Sequence, residues 1–166
     1  MKSLLILVVV TLLAGCETEV TASPDVAYLQ APGAEVTASP DIAYLQTPDA
    51  EEMNLPFSSA VRVDKMLYLS GSIGLVPGTQ QLAEGGIQGE TRQVLENIAQ
   101  TLQTFGSSMD KVVKCTVFLA DIQEWGAMNE VYRTFFPNPP ARSALGTSGL
   151  ALDSRVEIEC IAVVAM

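Results

Sequence analysis

The residue of this chain best suited to chemistry is an arginine in the stretch NPPARSALG. Two prolines force an extended entry to the strand-like residues that follow, and Arg142 is the only charged residue between Arg133 and Asp153. An arginine in such a run needs an anion, because an unpaired charge is costly to bury. That anion could be the carboxylate of a ligand, or it could be Glu157 or Glu159 in a salt bridge at an interface.

The composition restricts the chemistry that can accompany this arginine. The chain has 166 residues and is 48% hydrophobic, which is enough for one domain with an ordinary core. It contains no histidine, so imidazole catalysis is excluded and a carboxylate is the acid or base that remains. Nine basic against nineteen acidic residues give a net charge of −10, which disfavours a nucleic-acid surface. Three scattered cysteines without histidine do not form a zinc site, so we expect no metal.

The first sixteen residues, MKSLLILVVVTLLAGC, have the pattern of a targeting segment. Lys2 gives a positive start, Leu4 to Leu13 are an apolar stretch too short to span a bilayer, and small residues precede Cys16. The pattern resembles a bacterial lipobox, which implies that Cys16 is lipidated. It further implies an exported lipoprotein on the periplasmic side of the outer membrane. The alternative is an ordinary secretion signal followed by a chance cysteine.

An acidic tether with an internal repeat follows, and we assign it to residues 17–44. Between residues 17 and 52 there are eight acidic residues and no basic ones. The stretch VTASPDVAYLQAPGAE from Val20 to Glu35 returns as VTASPDIAYLQTPDAE from Val36 to Glu51. Two copies are too few to stack as a solenoid. Each copy holds one strand-like AYLQ, so we expect the second copy to occupy an edge of the domain and the first to be a spacer.

From residue 45 onward, patterns typical of strands and helices alternate. AVRV and MLYLSGSIG predict a hairpin, KVVKCTVFLA a third strand, and ARSALG and RVEIECIAVV the last two. One helix is predicted between Glu90 and Phe105, and a second one follows residue 124. The predicted buried stripe of the second helix is Trp125, Met128, Tyr132 and Phe135. Together these elements predict an α+β domain over residues 45–166, with a mixed sheet covered by two helices on one face.

Two cysteines lie inside the predicted strands. Cys115 and Cys160 are each surrounded by apolar residues, where a cysteine behaves as a small hydrophobic side chain, so core packing is the default expectation. An exported chain would fold in an oxidising compartment, where a disulfide between them is also possible. The sequence does not decide between these two states.

The blocks now described resemble those of one family. LPFSSAVRVDKMLYLSGSIG, ETRQVLENIAQTLQTFGSSMDKVVKCTVFLADI, MNEVYRTFFP and PPARSALG followed by VEIECIA are similar, in order and spacing, to the Rid or YjgF family of reactive intermediate deaminases. The resemblance covers about Leu45 to Ala165. It implies a chorismate-mutase-like α+β subunit that forms homotrimers with ligand clefts between subunits. It also implies hydrolysis of enamines and imines such as 2-aminoacrylate to 2-keto acids and ammonia.

The resemblance also assigns roles to single residues. Arg142 takes the position of the arginine that clamps a substrate carboxylate, and Glu157 that of the catalytic glutamate working with a bound water. The implied substrate-binding positions are Phe57, Ser70, Gly71, Asn129 and Ala144. Phe57 stands where many members have a tyrosine and lacks its hydroxyl donor, and Ala144 stands where many have a cysteine. No cofactor is implied, and the expected ligand is a small imine or 2-keto acid.

These positions also have plainer explanations. Glu157 and Glu159 could share a solvated face of the last strand, Asn129 could be an ordinary polar helix residue, and Ser70 with Gly71 could mark a bulge. For the whole protein, the alternative to a deaminase is a non-catalytic module that binds small carboxylates on a lipid anchor. The endoribonuclease activity attributed to some relatives fits poorly with the excess of acidic residues.

Overall fold

The computed structural model describes residues 39–164 of the chain. The predicted signal peptide, Cys16 and the first copy of the repeat lie outside the described residues. Within the part that is described, every helix is too short or too polar to cross a membrane.

A mixed β-sheet forms the centre of the domain. Its strands are β1 (Ile42–Leu45), β2 (Ala60–Val63), β3 (Met66–Leu69), β4 (Ser72–Ile73), β5 (Val112–Leu119), β6 (Ala141–Gly146) and β7 (Val156–Val163). Their order across the sheet is β1-β2-β3-β7-β5-β6, and the short β4 also pairs with β7. The β5–β6 pair is parallel, whereas the other pairs described are antiparallel. The two edges of the sheet are therefore β1 and β6.

Two long helices cover one face of this sheet. They are α2 (Gly86–Thr104) and α3 (Trp125–Phe135), and a short helix α1 (Pro48–Glu52) precedes β2. The apolar side of α2 is buried, as its spacing predicts, and the helix ends before Gly106, which adopts a φ of 77°. Both long helices pack on the same hydrophobic core against β3, β5 and β7. The predicted α+β fold, with two helices on one face of a mixed sheet, is confirmed.

The buried side of α3 differs in part from the predicted stripe. Met128 and Tyr132 are buried, but Trp125 is 48% exposed and Phe135 is only half-buried. Trp125 is the first residue of the helix, and its ring lies 5.9 Å from the guanidinium carbon of Arg142 on the edge strand β6. The expectation that Trp125 belongs to the core is therefore wrong, because its ring lies beside the edge strand β6, where it stays half exposed.

Alternation along β7 decides which side chains face the helices. The residues buried against α2 and α3 are Val156, Ile158, Cys160 and Ala162. Successive side chains of a strand point to opposite faces, so Glu157 and Glu159 project from the other face of the sheet. Glu157 is half-buried there and Glu159 is exposed. Among the described residues, helices thus cover one face of the sheet, called the helix-covered face below, and none covers the other, called the open face.

The edge strand β1 comes from the second copy of the repeat. It begins at Ile42, three residues before the predicted start of the domain at residue 45, and pairs antiparallel with β2. Helix α1 follows directly and was not expected from the sequence. Pro48 opens it, where a missing N–H costs nothing, and Asp49 and Glu51 in its first turn interact favourably with the helix dipole.

A disulfide joins Cys115 of β5 to Cys160 of β7. The two residues lie directly opposite each other in the antiparallel ladder, with their Cα atoms 4.1 Å apart. Both are also buried members of the hydrophobic core. The sequence left open whether these cysteines are core residues or form a disulfide. Both descriptions apply, because the bonded sulfur atoms pack in the core on the helix-covered face.

Candidate functional site

Arg142 lines a cavity of about 490 Å³ between α3 and β6. The other lining residues are Asn129, Tyr132, Arg133, Phe136, Pro139 and Pro140. The two prolines end the helical stretch and return the chain in an extended conformation to the edge strand. In the parallel ladder Arg142 pairs with Cys115, so its side chain lies on the helix-covered face, over α3. We refer to this space as the Arg142 cavity.

The guanidinium of Arg142 is held by soft and aromatic groups. Its carbon lies 4.5 Å from the centroid of the Tyr132 ring and 5.9 Å from that of Trp125. Its Nη1 lies 4.0 Å from the sulfur of Met128. Cation–π contacts of this kind orient a guanidinium without neutralising its charge. The rings therefore leave the hydrogen-bonding edge of Arg142 available for an anion.

No carboxylate neutralises Arg142 within the described part of the chain. The ion pairs found there join Arg62 to Asp41, Lys111 to Asp110, and Arg155 to Glu124. Within one copy of the described domain, no salt bridge joins Arg142 to Glu157 or Glu159, because the two glutamates project from the opposite face of the sheet. A salt bridge of this kind across an interface between two copies stays a prediction. A half-buried arginine with no acidic partner, beside a cavity, is suited to a ligand carboxylate.

Tyr132 lines the Arg142 cavity, although its spacing in the sequence predicts only a core residue. Its side chain is 5% exposed, and its hydroxyl is buried without a hydrogen-bond partner among the described residues. Burial raises the pKa of Tyr132 to about 12, although the nearby charge of Arg142 acts in the opposite direction. The hydroxyl is therefore neutral at physiological pH. The signal available in the sequence was the helical spacing, which predicts burial but not a contact with Arg142.

Asn129 and Ala144 lie with Arg142 on the same side of the molecule. Asn129 is half-buried on α3 and lines the Arg142 cavity. Ala144 pairs with Val117 of β5, and its side chain packs against the core on the helix-covered face. Because β6 is an edge strand, one side of its backbone is unpaired in the part of the chain described. Three of the predicted site residues thus form one half of a candidate site.

Glu157 forms the second half, on the open face of the sheet. It pairs with Ile73 of β4 on one side and with Phe118 of β5 on the other. Its carboxylate lies so close to Gly71 that a Cβ atom at position 71 would overlap it. The absence of a side chain at Gly71 therefore makes room for the carboxylate of Glu157 in this position.

Ser70 and Phe57 belong to the structure around this second half. The Ser70 hydroxyl donates a hydrogen bond of 2.7 Å to the carbonyl of Ser58, and its backbone N–H donates to the carbonyl of Ser59. These bonds tie β3 to the segment that carries Phe57, whose ring is 50% exposed. Ser70 thus links the end of β3 to this segment, in which Phe57 presents an exposed apolar surface.

The two halves do not meet within one subunit. Arg142, Asn129 and Ala144 are associated with the helix-covered face, whereas Glu157 projects from the open face. In addition, β5 separates β6 from β7. Arg142 pairs with Cys115 of β5, whereas Glu157 pairs with Phe118, so the two residues are also displaced by three positions along β5. Within one copy of the described domain, the guanidinium and the carboxylate therefore lie on opposite faces of the sheet.

A larger cavity of about 660 Å³ lies between α1, α2 and the segment after β4. Its charged lining residues are Asp49 and Glu52, and it has no lysine or arginine. It contains none of the residues predicted for the site. Despite its size it is poorly suited to a carboxylate ligand, so the Arg142 cavity is the better candidate site for such a ligand.

A buried carboxylate that the sequence analysis did not single out stabilises the start of β7. Glu90 of α2 is 5% exposed and accepts a hydrogen bond of 2.8 Å from the backbone N–H of Arg155. Burial raises the pKa of Glu90, and the hydrogen bond and charge of Arg155 partly oppose this rise. Arg155 also forms a bidentate salt bridge with Glu124. This network holds the strand that presents Glu157.

Known proteins are similar to this chain over its folded domain. A family model described as Endoribonuclease L-PSP matches residues 47–164. The 2-iminobutanoate/2-iminopropanoate deaminase of Mus musculus is 46% identical over 109 residues, which are 65% of this chain and 81% of the mouse protein.

Solved structures agree with this match. YyfA from Yersinia pestis, described as a protein of unknown function of the conserved Rid protein family, has a TM-score of 0.69 and 37% identity, covering 75% of this chain and 100% of that one. TdcF from E. coli, solved with bound serine, has a TM-score of 0.63 and 32% identity, covering 67% of this chain and 90% of TdcF.

Proposed function

The chain belongs to the endoribonuclease L-PSP family, which includes the YjgF or Rid proteins, and we propose on this basis that it is an imine and enamine deaminase. Its substrates are reactive intermediates of the 2-aminoacrylate type, in the imine form. Water adds to the C=N carbon, the C–N bond breaks, and a 2-keto acid and ammonia leave. The relatives named 2-iminobutanoate/2-iminopropanoate deaminase support this reaction.

The structural observation that carries the proposal is the guanidinium of Arg142, which has no carboxylate partner among residues 39–164. A 2-imino acid has a planar carboxylate beside the reacting carbon, and two parallel N–H donors match that carboxylate. TdcF, the relative solved with bound serine, holds a ligand that also has a carboxylate next to a nitrogen-bearing carbon. Asn129 at the same cavity offers a further hydrogen-bonding group to the ligand.

Glu157 is the proposed acid and base of the reaction. Its carboxylate can take a proton from the attacking water and return it to the departing nitrogen. Because the chain has no histidine, a carboxylate is the side chain available for this proton transfer. Gly71 leaves the space in which this carboxylate lies. Ser70 and Phe57 would help to hold the substrate and the water.

The separation of the two halves supports a homotrimer with composite sites. Since Arg142 and Glu157 project from opposite faces of the same sheet, a complete site requires the Arg142 cavity of one subunit to meet the Glu157 half of a neighbour. A ring of three identical subunits makes three such sites, all alike. Assembly would then be a condition for activity and not merely a source of stability.

Export and lipid anchoring are the remaining parts of the proposal. The segment ending in LAGC supports lipidation of Cys16, and the residue after it is Glu17 and not an aspartate, which supports sorting to the outer membrane. The disulfide between Cys115 and Cys160 supports folding in an oxidising compartment. Mass spectrometry of the mature N-terminus tests this point, and an unmodified Cys16 or cleavage elsewhere would refute it.

The deaminase assay uses an imine made in place by an amino-acid oxidase, with semicarbazide as a competing trap. The purified protein should release keto acid faster than buffer. Arg142→Lys keeps the charge and loses the bidentate fork, so we expect a raised KM. Glu157→Gln removes the proton acceptor, so turnover should fall roughly a hundredfold or more.

Matched substitutions control for general damage. Glu159→Gln changes the exposed glutamate two residues along the same strand, and Arg92→Lys changes an arginine on α2, so both should keep activity. Wild-type protein that does not outpace buffer on any imine would leave only the alternative, a non-catalytic carboxylate-binding module.

A further inference from the structure

The Arg142 cavity contains a second arginine that the proposed reaction does not use. Arg133 lies in the last turn of α3 and lines this cavity of about 490 Å³ together with Arg142. An imine of the 2-aminoacrylate type has a single carboxylate, and Arg142 is proposed to hold it. The second guanidinium at the cavity therefore needs an explanation of its own.

Arg133 is oriented without being neutralised. Its Nε donates a hydrogen bond of 3.1 Å to the backbone carbonyl of Asn129, one turn earlier on α3. Asn129 lines the same cavity, so this bond draws the Arg133 side chain back along the helix beside it. Within residues 39–164 no carboxylate forms an ion pair with Arg133. Because the bond to Asn129 uses only Nε, the N–H groups on Nη1 and Nη2 remain as donors for an anion.

The lining of the Arg142 cavity concentrates positive charge. Among the lining residues that the structure describes, Arg133 and Arg142 are charged and none is acidic. Two guanidinium groups beside one space repel each other, and an occupant with two negative charges reverses that repulsion. The position of Arg133 in the last turn of α3 also suits the helix dipole, but that interaction uses none of its N–H donors.

We propose that this site prefers 2-imino acids whose side chain ends in a second carboxylate, the class formed by oxidation of aspartate and glutamate. Arg142 holds the carboxylate beside the C=N carbon, and Arg133 binds the carboxylate at the end of the side chain. A cavity of about 490 Å³ lies in the size range of pockets for drug-sized ligands, so it has room for these longer substrates.

This inference rests on the proposed function and leaves its chemistry unchanged. Water supplies the keto oxygen, the C–N bond breaks, and ammonia leaves with the protons, so no oxidant or reductant is needed. The product is a 2-keto dicarboxylic acid. Both arginines belong to one subunit, so the preference for the second carboxylate is a property of that half of the composite site.

Kinetics with two matched imines test the inference on the assembled protein. The imines of glutamate and norvaline have carbon chains of equal length and end in a carboxylate or a methyl group, respectively. Each is made in place by an amino-acid oxidase with catalase present and semicarbazide as the trap. We expect kcat/KM to be about tenfold higher for the glutamate imine, because charge-assisted hydrogen bonds form only with that substrate.

Three variants assign this preference to Arg133. Arg133→Gln should abolish most of it, and Arg133→Lys should keep part of it, because the charge remains and the planar fork is lost. Arg92→Gln removes the same charge from α2, outside the Arg142 cavity, and should keep the wild-type preference. A wild-type protein without the preference, or an Arg133→Gln protein that keeps it in full, would overturn the inference.

Binding of the keto-acid products gives a second measurement that does not depend on turnover. Calorimetry should show about tenfold tighter binding of 2-oxoglutarate than of 2-oxopentanoate, and Arg133→Gln should remove the difference. Equal Kd values for the two keto acids would overturn the inference. Hydrolysis of the norvaline imine without preference for the glutamate imine would also overturn it, while the deaminase proposal would stand. Selective binding of 2-oxoglutarate without hydrolysis of any imine would refute the deaminase proposal and support the role of Arg133.

Discussion

Arg142 and Glu157 project from opposite faces of one β-sheet, with β5 between the strands that carry them. The guanidinium lies over the aromatic residues of α3, and the carboxylate lies over Gly71 on the face that no helix covers. This arrangement explains why neither group neutralises the other. If the two groups act on one ligand, as proposed, they must come from two copies of the chain.

Mixed assemblies test whether the two groups of a site come from different subunits. Arg142→Ala and Glu157→Gln proteins are unfolded together in equal amounts and refolded. If each site combines Arg142 of one subunit with Glu157 of its neighbour, about one quarter of the sites regain both groups, and activity should return to about one quarter of wild type. Each variant refolded alone is the control. No recovery in the mixture, with normal assembly, would place both groups in the same subunit.

Gly71→Ala tests the packing of the Glu157 carboxylate. A methyl group at position 71 would overlap the carboxylate and displace it, so turnover should fall roughly tenfold or more while Tm changes little. Gly126→Ala in α3 is a suitable control, because no heavy atom lies within 4 Å of the added Cβ there. Equal activity of Gly71→Ala and wild type would show that the position of this carboxylate is unimportant for the reaction.

The Tyr132 ring is expected to orient Arg142. Tyr132→Leu removes the cation–π contact at 4.5 Å, so KM for the imine should rise about fivefold with a smaller change in kcat. Tyr132→Phe keeps the ring and removes only a hydroxyl that has no partner among the described residues, so its KM should stay close to wild type. A Tyr132→Leu protein with unchanged KM would mean that the strand alone holds the arginine.

Tyr132 should also make stability depend on pH in the alkaline range. Its pKa is about 12 in the folded protein and about 10.0 in a solvated chain, so the unfolded state loses this proton first. The free energy of unfolding should therefore fall as pH rises from about 10 towards 12. Urea titrations at several pH values should show a smaller fall for Tyr132→Phe than for wild type. Parallel curves for the two proteins would contradict the assignment.

The disulfide between Cys115 and Cys160 should contribute substantially to stability. It closes a loop with a sequence separation of 45, and in the chain-entropy description such a cross-link is worth about 2–4 kcal/mol. Urea unfolding with and without a reductant measures this difference. A variant with both cysteines replaced by alanine should not respond to the reductant. Because both sulfur atoms are buried, reduction of the native wild-type protein should be slow.

Much of the fold could be predicted because its signals are local. The alternation of Val156, Glu157 and Ile158 gives a strand with one buried face, and the 3.6-residue spacing of α2 gives a helix packed on that face. Trp125 was assigned to the wrong environment because spacing alone does not reveal where the sheet ends. Two other features depend on strand order, which no local pattern encodes. They are the contact between Tyr132 and Arg142 and the projection of Arg142 and Glu157 from opposite faces of the sheet.

Strand β1 begins at Ile42, so residues 17–41, a stretch of 25 residues, separate it from Cys16. If Cys16 is lipidated as proposed, a stretch of this length can extend over at most about 80–90 Å. The proposed anchor would then let the domain reach ligands up to that distance from the bilayer surface.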